Sequence, residues 1–202
     1  MKKIFCLWFC LVGAALSAQA QNAALACGNG RYSTKLFPDP PNTTTGVVFG
    51  YNYSRNYATG RDSLVALKLD VYEPAGDNMT VQRPLIILAF GGAFLQGSRQ
   101  DADIVAICQE FAQRGYVTAA IDYRLIENKL NNLVAIYFDQ TRLTDEVIRA
   151  VGDMRASVRF FKHSAANNNP YRIDPTKIFV GGFSAGAITA LEVGYTDNVA
   201  DN

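Results

Sequence analysis

The stretch Pro84-Leu85-Ile86-Ile87-Leu88-Ala89-Phe90 carries no polar side chain. That pattern predicts a strand buried on both faces, as in a parallel sheet covered by helices. Tyr116 to Asp122 reads in the same way up to its final aspartate, and Ile178-Phe179-Val180, after Lys177, gives a third such run. Two earlier runs differ. Val47 to Tyr51 and Leu64 to Tyr72 flank a polar segment, Asn56 to Asp62, that suits a hairpin connection. The second run alternates towards its end, with Leu67, Leu69 and Val71 set against Lys68 and Asp70, so one face of that strand is expected to be wetter. These two runs are predicted to pair antiparallel, and Pro74 to Asn78 to form a turn.

Between the apolar runs the period changes. Asp101 to Arg114 predicts a helix with Asp103 at its positive end, Ile104, Cys108 and Phe111 as its buried stripe, and Gly115 as its stop. A longer helix is expected from Thr144 as N-cap, with Asp145 and Glu146 in the first turn. Its buried face is predicted as Ile148, Val151, Met154 or Arg155, Val158 and Phe161, and Asn167-Asn168-Asn169-Pro170 ends it. A last helix starts near Ala185. Strands alternating with helices predict an α/β fold, a mostly parallel sheet with right-handed crossovers and helices on both faces.

Composition narrows the class. Of 202 residues, 49% are hydrophobic and 18% charged, which excludes a disordered, charged tail. The formal net charge is +1 and no Lys/Arg cluster stands out, so a nucleic-acid partner is not expected. Residues 1–20 are expected to be a secretory signal: Met1-Lys2-Lys3, an apolar run from Ile4 to Leu16, then Ser17-Ala18-Gln19-Ala20 as a cleavage site. The run is short for a membrane anchor, the alternative reading. A secreted or periplasmic protein without a stable membrane span follows as the expectation. Cys27 lies too far past the apolar run to suit a lipidated residue. Residues 21–46 are expected to be irregular because of Pro38-Asp39-Pro40-Pro41, and residues 47–202 to form one domain. After signal removal two cysteines remain. They form either a disulfide, Cys27 to Cys108, or a free buried Cys108 on a helix face. No phosphate loop, dinucleotide fingerprint or zinc-type Cys/His spacing occurs, so no metal and no cofactor are expected. Asn42, Asn52 and Asn78 head glycosylation triplets that matter only in a glycosylating pathway.

One segment carries chemistry. Gly181-Gly182-Phe183-Ser184-Ala185-Gly186 follows the last apolar run and opens the last helix. A strand that turns sharply into a helix needs small neighbours and pushes the serine hydroxyl outward, with the next N–H free beside it. The helix N-terminus adds positive potential where an oxyanion would form. His163, the single histidine, precedes the serine and sits at a predicted helix end, which suits a structural role. Glu192, Asp197 and Asp201 follow the serine too closely to act as its acid partner.

Read in order, Phe90-Gly91-Gly92-Ala93-Phe94, Asp122-Tyr123-Arg124-Leu125, Arg172-Ile173-Asp174-Pro175 and Gly182-Phe183-Ser184-Ala185-Gly186 resemble the α/β-hydrolase fold, in its esterase and lipase group related to hormone-sensitive lipase and carboxylesterases. The resemblance covers residue 47 to the end. It implies that Ser184 is the nucleophile of an ester hydrolase. It also implies that the backbone N–H groups of Gly92, Ala93 and Ala185, with Gly91 beside them, form the oxyanion hole. Phe90 stands where the family has histidine and Ala93 where it has a third glycine; neither change removes a backbone donor. Phe90 and Phe94 are either acyl-pocket lining or core. Arg124 is expected to pair with a carboxylate such as Asp153, either as an ordering contact or as a solvated charge pair.

By the same resemblance the fold continues with three more strands that carry the acid and the histidine. The chain is therefore expected to be truncated after the nucleophile helix, to leave the Ile178–Val180 strand at an open edge, to aggregate readily and to retain at most residual activity. Small-molecule, lipid and carbohydrate esters all remain as substrates. A serine peptidase on this fold would need an extra propeller domain before residue 47. A non-catalytic binding module of the same fold commonly lacks the serine.

Overall fold

The computed structural model describes residues 30–57, 59–78, 81–126 and 139–196. The expected signal at 1–20, Cys27, Asp197 and Asp201 lie outside the described residues. Five strands form one mixed sheet in the order β1-β2-β4-β3-β5. They are β1 (Asn42–Asn56), β2 (Arg61–Glu73), β3 (Arg83–Ala89), β4 (Val117–Ile121) and β5 (Ile173–Gly182). The helices are α1 (Ala102–Ala112), α2 (Gln140–Ala166) and α3 (Ala185–Tyr195).

The unbroken apolar runs become the centre of the sheet. Every residue of β4 is buried, and in β3 only Ile86 is half-buried. Both pair in parallel, with Leu85 opposite Val117 and Ala89 opposite Ile121. On its other side β3 pairs in parallel with β5. The expected hairpin of β1 and β2 is antiparallel, and β2 joins the sheet antiparallel to β4. Parallel pairing is thus confined to β4, β3 and β5.

The crossover β3-α1-β4 steps one way along the sheet, and β4-α2-β5 steps back past β3. With right-handed crossovers the two helices then land on opposite faces. In keeping with this, α1 packs on β2, β3 and β4, whereas α2 and α3 pack on each other and on β3 and β5. Leu69, Leu85, Ile87, Ile104, Ile121, Met154 and Phe161 are fully buried in the core between these layers. Each such side chain contributes roughly 1.5–3 kcal/mol by leaving water.

Four expectations are corrected. β1 begins at Asn42, inside the stretch expected to be irregular. Asp70 is buried, not on a wet face: it accepts from Gly46 N (2.7 Å) and Arg99 Nε (2.8 Å). α2 starts one turn before Thr144, with Asp139 as N-cap accepting from Arg142 N at 3.2 Å. Ile148 is 64% exposed, because the inward face of α2 runs through Glu146, Ala150, Asp153, Met154, Ser157 and Phe161.

Glu146 is the anomaly of that face. Its side chain is buried, neither carboxyl oxygen has a hydrogen-bond partner of good geometry among the described residues, and Arg149 Nη1 lies 3.7 Å from Oε1. Burial pushes its carboxyl above the usual glutamate range. A raised folded pKa means that the folded state holds its proton more tightly than the unfolded chain. This stabilisation is complete below about pH 4.3, the ordinary value, and is lost as pH rises through the folded pKa. Glu146→Gln is therefore expected to raise the melting temperature at pH 8 and to leave it unchanged near pH 4. Calorimetry across that range checks it; a gain of equal size at both ends would contradict the ionisation account.

Candidate active site

The segment after β5 is built by close approach. Phe183 N donates to Ala89 O at 3.1 Å, and Gly186 N donates to Phe183 O at 2.8 Å, which closes the turn. A Cβ on Gly182 would sit 2.4 Å from Ala89 O, and one on Gly186 would sit 2.2 Å from the same oxygen. Both contacts are with backbone, so these positions accept only glycine. Between them Ser184 is held at φ 48°, ψ −112°, a strained conformation for a residue with a side chain. Its side chain is exposed and caps no helix amide. Ser184 O accepts from Ile188 N at 3.0 Å, which begins α3.

The loop after β3 lies directly against this turn. A Cβ on Gly91 would be 3.2 Å from Phe183 O and 3.3 Å from Ser184 Cβ. The next three residues all have positive φ: Gly92 at 122°, Ala93 at 56° and Phe94 at 61°. Gly92 O accepts from Leu95 N (2.9 Å) and Gln96 N (3.2 Å), which curls the loop back on itself. Among the described residues, no hydrogen bond uses the amides of Gly92, Ala93 or Ala185. The loop expected to supply oxyanion donors thus adjoins the exposed serine.

Phe90 and Phe94 are 1% and 3% exposed, so they belong to the core and not to an acyl pocket. Asp122, Tyr123 and Arg124, at the end of β4, each hold a different element. Asp122 accepts from Arg99 N (2.9 Å) and Arg99 Nη1 (2.5 Å), beyond the glycine loop. Tyr123 Oη donates to Phe90 O at 3.0 Å. Arg124 Nε donates to Asp153 Oδ2 at 2.8 Å, and the Arg124 amide donates to the same oxygen at 2.9 Å. Arg124 Nη1 also donates to Tyr53 O at 2.6 Å. With side-chain exposures of 8% and 0%, Arg124 and Asp153 form a buried, ordering pair, not a solvated one.

His163 is exposed in the last turn of α2, with Asn167 Nδ2 at 3.4 and 3.5 Å from its ring nitrogens. It takes no part in the serine turn. Glu192 is exposed on α3, and its carbonyl accepts from Thr196 N. Cys108 is a buried free thiol on α1, and burial pushes its pKa up to about 12. Cys27, its partner in the disulfide alternative, is outside the described residues. Among those described, no group of three His, Cys, Asp or Glu side chains is placed to hold a metal ion, and no helix is long and apolar enough to cross a membrane. Sequence reading quoted Tyr123 in its motif but missed its partner, Phe90 O, and missed the Asp70–Arg99–Asp122 network, because the partners are far apart in the chain.

The sheet order, the tight strand-to-helix turn and the adjoining glycine loop define an α/β-hydrolase fold. Solved structures agree. The chain resembles Thermogutta terrifontis esterase 2 phosphorylated by paraoxon at 27% identity and a TM-score of 0.51, covering 79% of this chain and 50% of that one. The same esterase phosphonylated by sarin matches at 27% identity and a TM-score of 0.52, covering 79% and 47%. The chain therefore spans about half the length of these structures. The BD-FAE family model matches residues 69–202, well over half of the sequence, and the chain belongs to that family. No curated protein sequence matches it.

Proposed function

We propose that this is a secreted serine hydrolase of carboxylic esters, with Ser184 as its nucleophile. The observation that carries the assignment is the exposed Ser184 at φ 48°, with Gly91 packed against its Cβ. A strained serine at a glycine-only corner has no packing purpose. It presents Oγ at a helix N-terminus beside backbone donors. Ser184 Oγ attacks the acyl carbon of a small ester, and the developing oxyanion rests on the amides of Gly92, Ala93 and Ala185. Each such donor is worth about 10²–10³ in rate. The proton passes to a general base outside the described residues, since His163 sits exposed in the last turn of α2, beside Asn167. The basic, apolar start of the chain, Met1 to Leu16, supports export.

The similar Thermogutta terrifontis esterase 2 is phosphorylated by paraoxon. Organophosphates mark an activated serine by esterifying it, which makes paraoxon the direct probe. Incubation of the protein with paraoxon is expected to release p-nitrophenolate in one burst and to leave a diethyl phosphate on the peptide holding Ser184. Peptide mass spectrometry reads the adduct. In a chain long enough to hold the acid and base, unmodified Ser184 after prolonged exposure to excess paraoxon would overturn the assignment.

A further inference from the structure

We infer that the Tyr123 hydroxyl is a positioning residue for the oxyanion loop, an inference that rests on the hydrolase assignment. Among the described residues, the hydrogen bond and ring contacts of Tyr123 go to Phe90 and Phe94 and not to Ser184; it acts through Phe90. Its Oη donates to Phe90 O at 3.0 Å, and its ring stacks on the Phe90 ring with centroids 4.4 Å apart and planes 18° from parallel. Phe94 meets the same ring edge-on at 6.0 Å. One buried phenol thus grips both ends of the segment Phe90 to Phe94.

What Tyr123 holds is the joint between the loop and the serine turn. Phe90 O would lie 2.6 Å from a Cβ on Gly186, so this carbonyl packs against the first turn of α3. The peptide that contains it leads straight into Gly91, whose missing Cβ makes room for Ser184 Cβ. Rotation of that peptide would swing the amides of Gly92 and Ala93 relative to Ser184 Oγ. The loop's own hydrogen bonds, from Leu95 N and Gln96 N to Gly92 O, work against strained positive φ at Ala93 and Phe94, so an outside grip on the segment counts. The Phe90 ring also packs closely on Gly97, since a Cβ there would fall 2.4 Å from Phe90 Cδ2. Burial, and then the Asp101 carboxylate, push the phenol above its ordinary pKa, so Tyr123 remains a hydrogen-bond donor throughout the working pH range.

A residue that only supports the fold would slow every reaction of Ser184 alike. A residue that aims the oxyanion donors acts where oxygen accepts charge. Paraoxon and its P=S counterpart parathion separate the two roles. In both, Ser184 Oγ forms the new bond to phosphorus, p-nitrophenolate leaves with the electron pair and the serine proton goes to the base. Only paraoxon places a phosphoryl oxygen, a strong acceptor, against the amides. The ratio of the two phosphorylation rate constants is independent of how much protein is folded. For Tyr123→Phe, which keeps the ring stack, this ratio is expected to fall about 10-fold from wild type, since small misplacement of pre-aimed groups is costly. Phe90→Leu, which removes the stacked ring, is expected to lower the same ratio. Wild type phosphorylated at Ser184, with both variants keeping its ratio within twofold, would overturn the role of Tyr123 alone. Wild type unmodified by either reagent would overturn the hydrolase assignment, and this role with it.

Discussion

In a protein that carries its acid and base, Ser184→Ala is expected to take up no paraoxon and to lose nitrophenyl ester turnover by on the order of 10⁶-fold, the scale seen when a catalytic serine is removed and oxyanion donors remain. The fold is expected to be indifferent to the change. The Ser184 side chain is exposed and caps no amide, and alanine meets the same backbone strain at φ 48° that serine does. Thermal unfolding within about 0.5 kcal/mol of wild type would show that the lost turnover is chemical. Turnover retained within tenfold would place the nucleophile elsewhere.

The largest effect on stability is expected at the other end of the site, from Asp153→Ala. Asp153 is fully buried and receives Arg124 Nε and the Arg124 amide. Its loss strands a guanidinium that is itself almost wholly buried. Removing one partner of such a pair costs about 3–5 kcal/mol, or roughly 6–20 °C in melting temperature for a domain of this size. Arg142→Ala breaks a pair whose side chains are 35% and 37% exposed and is the control, expected to cost under about 1 kcal/mol. Urea titration of both variants checks this; equal midpoints would show that the buried pair contributes no more than the surface one.

The two effects fall on parts of the molecule that differed in how far the sequence disclosed them. β3, β4 and the serine turn could be read directly, because each rests on a local requirement. Burial on both faces demands a continuous apolar run, and a corner with 2.2 Å of clearance demands glycine. The inward face of α2 was legible only in part: Val151, Met154 and Phe161 are buried as expected and Asp153 pairs with Arg124, but the same face also carries Glu146 and Ser157. A rule that sends apolar residues inward chose Ile148 instead. Asp70 was misread for a related reason: its partner, Arg99, arrives from 29 residues away. Tyr123 was quoted within a motif, but its acceptor is a main-chain carbonyl 33 residues earlier, and a carbonyl has no letter in the sequence.

The same point applies more widely at the loop of Gly92, Ala93 and Phe94. Its free groups are main-chain amides, and its shape is a succession of torsion angles that two ordinary side chains have been made to adopt. What such a loop must preserve from one generation to the next is a path through space, not a spelling. Its alphabet is free to drift wherever the surrounding rings can still enforce the bend.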